Sequence, residues 1–458
     1  MADTLDPANV HAIFKAYDVR GLVPEQIDEE LARATGRAYV QVVGAETVVV
    51  GHDMRPSSPG MAGAFAEGAT EAGADVILIG LASTDQLYFA SGHLGHPGVM
   101  FTASHNPAEY NGIKMCRAYA VPIGLETGLA EIRDLVVTPR PVTATVPGDV
   151  SEHDVLEAYA AHLLSLAPVE GRSLKVVVDA GNGMAGYTAP AVFARLGADR
   201  VEIVPMYFEL DGTFPNHEAN PIDADNLRDL QAKVLEVGAD VGLAFDGDAD
   251  RCFLVDELGR AVSPSTLTAL IAARELAKEP GATIIHNLIT SRAVPEIVTE
   301  LGGKPVRTRV GHSFIKATMA ETDAVFGGEH SGHFYFRDFW RADSGMLAAL
   351  HTLAALAETD RPLSELLASY ERYPVSGEIN SEVADQVGMM AALEGEYAVR
   401  PGVSTDRLDG LTVSHADWVF NVRPSNTEPL LRLNAEGKDH DTMATMRDEV
   451  LTKIRSAR

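Results

Sequence analysis

Short β-branched runs alternate with helix-length amphipathic stretches through most of the chain, and this alternation limits the possible folds more than any other feature. Parallel strands joined by crossover helices produce that pattern, because the strands are apolar on both faces and each helix is apolar on one. Strands are expected over Thr47–Val50, Val76–Ile79, Lys175–Val178, Val241–Phe245 and Thr283–Ile285. Between and around them, Ala185–Leu196, Asp225–Val237, Pro264–Ala277 and Ser291–Leu301 carry apolar residues at helical spacing. The class is α/β. Three of the strands run into small and acidic residues: Gly51-His52-Asp53, Asp179-Ala180-Gly181-Asn182-Gly183 and Asp246-Gly247-Asp248. In open α/β sheets chemistry collects at such carboxyl ends.

A chain of 458 residues exceeds what one core serves. Turn residues interrupt the periodic pattern near Val146-Pro147-Gly148, Leu258-Gly259 and Arg372-Tyr373-Pro374. Domains are therefore expected over 1–148, 149–258, 259–373 and 374–458. The last of these reads differently from the rest. Leu408–Val413, Ala416–Val422 and Leu430–Ala435 resemble closely spaced antiparallel strands, and a helix should follow from Asp441 to Ile454. That is an α+β pattern.

Lysine and arginine total 37 against 65 aspartate and glutamate, a formal net charge of −28. Such a surface argues against nucleic acid or an anionic membrane as partner, so any anionic ligand needs locally gathered basic groups. Met1–Pro7 is acidic and polar, and no uninterrupted apolar run reaches the ~18 residues of a membrane span. A cytoplasmic protein is expected. Cys116 and Cys252 are too few for a disulfide framework or a Cys-rich zinc site, and are expected as buried free thiols.

Four clusters carry chemistry. Thr102-Ala103-Ser104-His105-Asn106-Pro107 follows the apolar Gly98–Phe101 and places a serine in a turn, its hydroxyl exposed at the mouth of a sheet. Such a serine suits a nucleophile or phosphate carrier, with Lys114 nearby, although a turn serine capping backbone fits as well. Asp246-Gly247-Asp248-Ala249-Asp250-Arg251 spaces three carboxylates at every second position, and an extended loop would turn them onto one hard cation. Oxygen-only ligands favour magnesium over zinc. An EF-hand is the rival, yet Arg251 stands where that loop needs glycine, and strands rather than helices flank the segment.

The third cluster is Gly327-Gly328-Glu329-His330-Ser331-Gly332-His333. On an extended strand, Glu329, Ser331 and His333 would project to one side and offer carboxylate, hydroxyl and imidazole to sugar hydroxyls; a His-rich metal site or a plain polar turn are the alternatives. The fourth, Arg423-Pro424-Ser425-Asn426-Thr427-Glu428-Pro429, sets a guanidinium beside hydroxyl, amide and backbone N–H groups, a combination matched to phosphate or equally to a polar hairpin loop.

Together, and in this order, the four segments resemble the phosphoserine, metal, sugar and phosphate loops of the α-D-phosphohexomutase superfamily, over nearly the whole chain. Lys15-Ala16-Tyr17-Asp18-Val19-Arg20-Gly21 resembles the family's opening signature, in which the tyrosine and arginine approach substrate. The resemblance implies three α/β domains with mixed sheets and a C-terminal α+β lid domain around a central cleft. It implies that Ser104 rests as phosphoserine, with Mg2+ held by its phosphate and by Asp246, Asp248 and Asp250. Arg20, Lys114, His312 and Arg251 are then assigned to proton transfer and phosphoryl stabilisation. Tyr17, Gly311, Glu329, Ser331, His333, Arg423, Ser425, Asn426 and Thr427 are assigned to hexose phosphate, and a hexose 1,6-bisphosphate serves as activator. The expected activity is that of an isomerase, an intramolecular phosphotransferase. Within the superfamily the Glu-His-Ser-Gly-His form of the sugar loop resembles phosphomannomutases more than glucose- or glucosamine-specific members. Ile289 stands where some dual-specificity members carry lysine, which tells against equal use of mannose and glucose phosphates. A metal-dependent sugar-phosphate phosphatase and a non-catalytic sugar-phosphate sensor are the rival classes.

Overall fold

Val48, Val49 and Val50 have almost no solvent-accessible surface, so the strand that holds them must lie inside a sheet covered on both faces. A computed structural model, which describes residues 5–142, 144–425 and 430–456, places that strand centrally. The first sheet comprises β1 (Asp18–Leu22), β2 (Thr47–His52), β3 (Asp75–Leu81), β4 (Gly98–Phe101), β5 (Tyr110–Arg117), β6 (Val121–Pro122) and β7 (Val150–Glu152). Its order is β1-β5-β4-β2-β3-β7, with β6 alongside β5. Strands β4, β2, β3 and β7 run parallel; β5 pairs antiparallel with β4, and β1 pairs antiparallel with β5 and so runs with the parallel set. The sheet thus takes in Val150–Glu152, past the turn at Pro147-Gly148.

β8 (Leu174–Asp179), β9 (Val201–Met206), β10 (Val241–Phe245), β11 (Cys252–Asp256) and β12 (Ala261–Val262) form the second sheet in the order β12-β11-β10-β8-β9. β8 is parallel to both of its neighbours, and β10 and β11 form an antiparallel hairpin in which Phe245 faces Cys252. Every residue of β10 and β11 is buried. That register leaves 246–251 as the hairpin loop, so the acidic segment has to bend. Cys116 and Cys252 are buried and unbridged.

By compactness the chain divides into two units. One joins Met1–Ser263 to Ser331–Ser364; the other joins Pro264–His330 to Glu365–Arg458. The expected 259–373 span is therefore shared between them. In the first unit β16 (Phe334–Phe336) pairs antiparallel with β17 (Ala342–Asp343), ahead of a helix, Gly345–Ala357, that is buried at every residue. In the second unit β13 (Thr283–Asn287) pairs parallel with β14 (Lys304–Thr308) and β15 (Phe326–Gly328).

That unit also holds a fully antiparallel sheet in the order β18-β22-β21-β20-β19. Its strands are β18 (Val375–Glu382), β19 (Ser404–Asp406), β20 (Leu411–Ser414), β21 (Trp418–Pro424) and β22 (Leu430–Gly437). The expected strand from Leu408 begins at Leu411 because Gly410 takes a positive φ of 67° and turns the chain. The terminal helix runs over His440–Ser456. No helix among the described residues is long and apolar enough to cross a membrane.

One buried carboxyl knits the first unit together. Asp85, in the first turn of helix Thr84–Leu94, accepts from Tyr159 Oη at 2.7 Å, from Ser344 Oγ at 2.6 Å and from Ser83 Oγ. Ser344 is the N-cap of helix Gly345–Ala357, and Tyr159 lies on helix Leu156–Leu166, so three helices meet at one side chain. Burial pushes the Asp85 carboxyl up from 3.8 to about 6, although the three hydroxyls pull it down. A raised folded pKa means that the neutral acid stabilises the fold at low pH and that this contribution is lost as pH rises through 6. Unfolding free energies of Asp85→Asn and wild type, from denaturant melts, are therefore expected to shift in the variant's favour by up to about 3 kcal/mol from acid to neutral pH.

Candidate active site

β4 ends at Phe101 and the chain turns sharply. Ser104 takes a φ of 50°, a left-handed conformation that costs a residue with a side chain roughly 1 kcal/mol. The turn holds because Ser104 N donates to Thr102 Oγ1 at 3.0 Å and Asn106 N to the Ala103 carbonyl at 3.0 Å. Contrary to the sequence expectation, Ser104 is not exposed at the mouth of the sheet; the residue is 5% accessible. The acidic loop covers it, and Gly247 permits the approach, since a Cβ there would stand 2.4 Å from the Ser104 carbonyl oxygen. Ser104 Oγ donates to Asp246 Oδ2 at 2.8 Å and lies 3.2 Å from His105 Nδ1.

The loop 246–251 is a turn rather than the extended segment expected. Ala249 N donates back to the Asp246 carbonyl at 3.1 Å, and Ala249 has a φ of 58°. This tight hairpin still brings oxygens of Asp246, Asp248 and Asp250 within 4.8 Å of one another, all buried. Asp246 also accepts from Arg251, at 3.1 Å from its N–H and 2.8 Å from Nε. Lys114 Nζ, arriving from β5, donates to Asp248 Oδ2 at 2.6 Å and Asp250 Oδ2 at 2.7 Å. Thr84 holds Asp248 twice, through Oγ1 to the carboxylate at 2.6 Å and through its N–H to the carbonyl at 2.9 Å.

Titration follows from these partners. Burial pushes Asp246 up to about 7 against the pull of Arg251, with Asp250 and Asp248 adding to the rise. Asp248, equally buried, falls well below the carboxylate range because Lys114 and Thr84 outweigh desolvation. Desolvation opposes the Lys114 charge, but the two carboxylates override it and raise its pKa. His105 is driven well below its usual value by burial and by Arg251 and Arg20, which keeps it neutral. Oδ1 of Asp248 and Oδ1 of Asp250 are buried and accept no hydrogen bond. An all-oxygen set with buried, undonated oxygens fits a small hard divalent cation.

Other expected residues gather in the same unit. Arg20, on β1, donates to Asn106 Oδ1 and to Asp18 Oδ2, each at 2.5 Å, and so reaches the serine loop. Tyr17 directly precedes β1 and packs beside Gly124. His333 bridges to Arg251 through the backbone, with Nε2 3.7 Å from Asp250 Oδ1 and 3.9 Å from Asp343 Oδ2. Ser331 Oγ is 3.1 Å from His333 Nδ1. The expected single face of Glu329, Ser331 and His333 is not found. Residues 330 and 331 form a turn, with Gly332 following at φ 86°, so the alternation of an extended strand does not apply.

In the second unit, the buried Glu329 accepts from Gly311 N at 3.1 Å and from Asn287 Nδ2 at 3.2 Å. His312 begins the helix His312–Thr322; its side chain lies outside the described residues, as do Asn426 and Thr427. Arg423 donates to Glu378 Oε2 at 2.8 Å, and Arg432, its direct cross-strand partner, sits 3.3 Å from Glu378 Oε1. Ser425 N closes the loop onto the Leu430 carbonyl at 2.8 Å. Two guanidiniums side by side repel, and one shared carboxylate offsets only part of that repulsion, so the pair favours an anion.

Comparison with known proteins agrees with this geometry. The chain matches the phosphoglucomutase/phosphomannomutase α/β/α domain I over residues 11–140, domain II over 157–259, domain III over 263–373 and the C-terminal domain over 378–453. It belongs to this family. A phosphomannomutase of Salmonella montevideo is 42% identical, the alignment covering 97% of this chain and 99% of the relative. A Xanthomonas campestris protein named for phosphohexose mutases is 41% identical over 96% of this chain and 98% of its own. The crystal structure of a phosphoglucomutase/phosphomannomutase family protein from Burkholderia thailandensis superposes with a TM-score of 0.88 at 33% identity, covering 97% of both chains.

Thr84, Asn287, Glu378 and Arg432, which contact the candidate site residues, were not legible in the sequence as their partners. Thr84 meets Asp248 across 164 positions, and nothing near Ser83-Thr84-Asp85 announces it. Arg432 carried a usable signal, a second arginine within one strand length of Arg423. Asp248→Asn preserves shape but removes charge from the oxygen cluster, and should lower affinity for a divalent cation, probed with Mg2+, by about tenfold or more. Isothermal titration calorimetry measures this; an unchanged affinity would mean that the aspartates serve only as counter-ions to Lys114.

Proposed function

We propose that this chain is a phosphomannomutase, moving a phosphoryl group between the C1 and C6 oxygens of mannose phosphate by way of phosphorylated Ser104. The observation that carries this reading is the strained, nearly buried Ser104 with its Oγ 2.8 Å from the buried carboxylate cluster. A phosphate on that oxygen would adjoin both the acidic loop and Lys114. Asp246, Asp248 and Asp250, together with the Ser104 phosphate, would hold Mg2+, which would draw charge from the phosphoryl oxygens.

In the forward step a sugar hydroxyl oxygen bonds to phosphorus as the Ser104 Oγ–P bond breaks; the proton lost by the hydroxyl is matched by one taken up on the freed Ser104 Oγ, with His312 as the group of the assigned set able to accept it and Arg20 and Lys114 acting as cations. Arg251 and Lys114 supply fixed positive charge to the transferring group. The hexose 1,6-bisphosphate then reorients and returns its other phosphate to Ser104, so one serine serves both ends of the sugar. Added bisphosphate re-primes any serine that has lost its phosphate. Glu329, Ser331 and His333 meet the sugar, with Tyr17 and Gly311 beside the substrate, and Arg423, Ser425, Asn426 and Thr427 hold the phosphate that is not reacting. Arg432 joins this last group. The cytoplasm is the proposed setting, since charged sugar phosphates do not cross a hydrocarbon layer.

A dual mannose and glucose specificity is the second reading, favoured by the relative named for phosphohexose mutases. Ile289 opposes it, because an alkyl chain offers nothing to a substrate hydroxyl or phosphate. Parallel kinetics on mannose 1-phosphate and glucose 1-phosphate, primed with the matching bisphosphate, decide between the two. Release of inorganic phosphate in place of mannose 6-phosphate would identify a phosphatase instead.

Ser104→Ala is expected to cut turnover at least about a thousandfold, since water is a poor substitute for an oriented carrier. Intact mass should lose one phosphate, and near-normal turnover would overturn the proposal. Arg423→Ala should raise KM and lower kcat, each by about tenfold, because the lost contacts hold both substrate and bisphosphate. Steady-state kinetics, with an assay for bisphosphate leaking into solution, check this.

A further inference from the structure

Arg55 is among the largest fully buried side chains of the described residues, at 1% accessibility. It lies just past β2, and every hydrogen bond its terminal nitrogens make goes to one stretch of backbone. Nη2 donates to the carbonyls of Ser104 at 3.0 Å and Asn106 at 2.7 Å; Nη1 donates to those of Pro107 at 2.8 Å and Tyr110 at 2.9 Å. The remaining donor, Nε, faces Asp53 Oδ2 at 3.3 Å, close enough for an ion pair though out of line for a hydrogen bond. Asp53 is itself fixed, accepting from Arg55 N at 3.0 Å and Ser58 Oγ at 2.5 Å. From the second sheet's side, the Phe214 ring lies 5.1 Å from the guanidinium, and a Cβ on Gly212 would stand 2.6 Å from Arg55 Cα.

A buried guanidinium is costly unless all its donors are used, and apolar side chains would fill the same volume at lower cost. What only a planar fork can do is draw four carbonyls toward one point. Those carbonyls belong to the turn that carries Ser104 in its left-handed conformation, a backbone state that persists only where its surroundings over-determine it. With the carbonyls held inward, the orientation of the Ser104 peptide, and hence of Oγ toward Asp246, is set from behind.

We propose that Arg55 is the positioning residue for the phosphoryl-carrying serine, acting through the backbone of 104–110 without touching the reacting atoms. This rests on the reading of Ser104 as carrier. Arg55→Lys keeps a positive charge opposite Asp53 but replaces the fork with a single nitrogen that cannot reach four carbonyls. Its kcat per phosphorylated site, with occupancy read by intact mass, is expected to fall about a hundredfold, a loss typical of misplacing a reacting group by an ångström. KM should stay within about threefold, since the substrate-binding side chains are elsewhere. A purely structural arginine would lower the folded fraction and leave kcat per folded, phosphorylated site unchanged, which would overturn the proposal. Should Arg55→Lys fail to fold, Phe214→Leu removes only the ring against the guanidinium. It is then expected to lower kcat about three- to fivefold at constant KM, and an unchanged kcat would overturn the proposal. Absence of phosphate on wild-type Ser104 even after incubation with hexose 1,6-bisphosphate would instead sink the carrier reading, so the two failures are distinguishable.

Discussion

Three aspartates on one hairpin loop, all nearly inaccessible to water, are the constraint on which the first unit depends. An uncompensated buried carboxylate costs several kcal/mol, so the loop requires partners that its own hairpin cannot supply beyond Arg251. Lys114 and Thr84 come from the first sheet and the helix that packs on it, and Ser104 from the turn after β4. Charge balance thereby joins two sheets that share no strand. The same demand gathers an acceptor cluster, a cation and a hydroxyl at one point, which is what phosphoryl transfer needs.

Close approach between backbones is the second requirement. Gly247 lets the acidic loop lie against Ser104, and Gly345 does the same for helix Gly345–Ala357 against Arg251, where a Cβ would stand 2.6 Å from a carbonyl oxygen. At both positions a side chain would separate the elements and the charges with them. Ser104 and Ala249 both sit in left-handed conformations, so the two loops that meet also carry backbone strain. Strain of this kind concentrates where surrounding contacts are dense enough to hold it, and Arg55 supplies that density behind the serine.

Local pattern made much of this legible. The apolar runs before Ser104 and before Asp246 read as strands because burial on both faces leaves an uninterrupted apolar sequence, and β4 and β10 lie where those runs stand. Alternating aspartates pointed to a cation site on chemistry alone. Backbone direction was less accessible. The acidic segment bends because β10 and β11 pair, and the 329–333 segment turns at Gly332, so alternation assumed for an extended chain misassigned the faces of Glu329, Ser331 and His333. Ser104 read as exposed for a related reason, since a turn serine is exposed unless some distant loop covers it.

The sequence by itself determined the α/β class, the four loops in order and the residue types that carry their chemistry. These depend on periodicity and on functional groups within a few positions of one another. Tertiary structure alone decided which distant groups complete them: Thr84 on Asp248, Arg55 on the Ser104 turn, and Glu378 between Arg423 and Arg432. Each of those contacts joins residues far apart in the chain whose local surroundings are those of an ordinary cap, core or strand residue. Their role arises only when folding removes water from charged groups and leaves these side chains as the partners within reach.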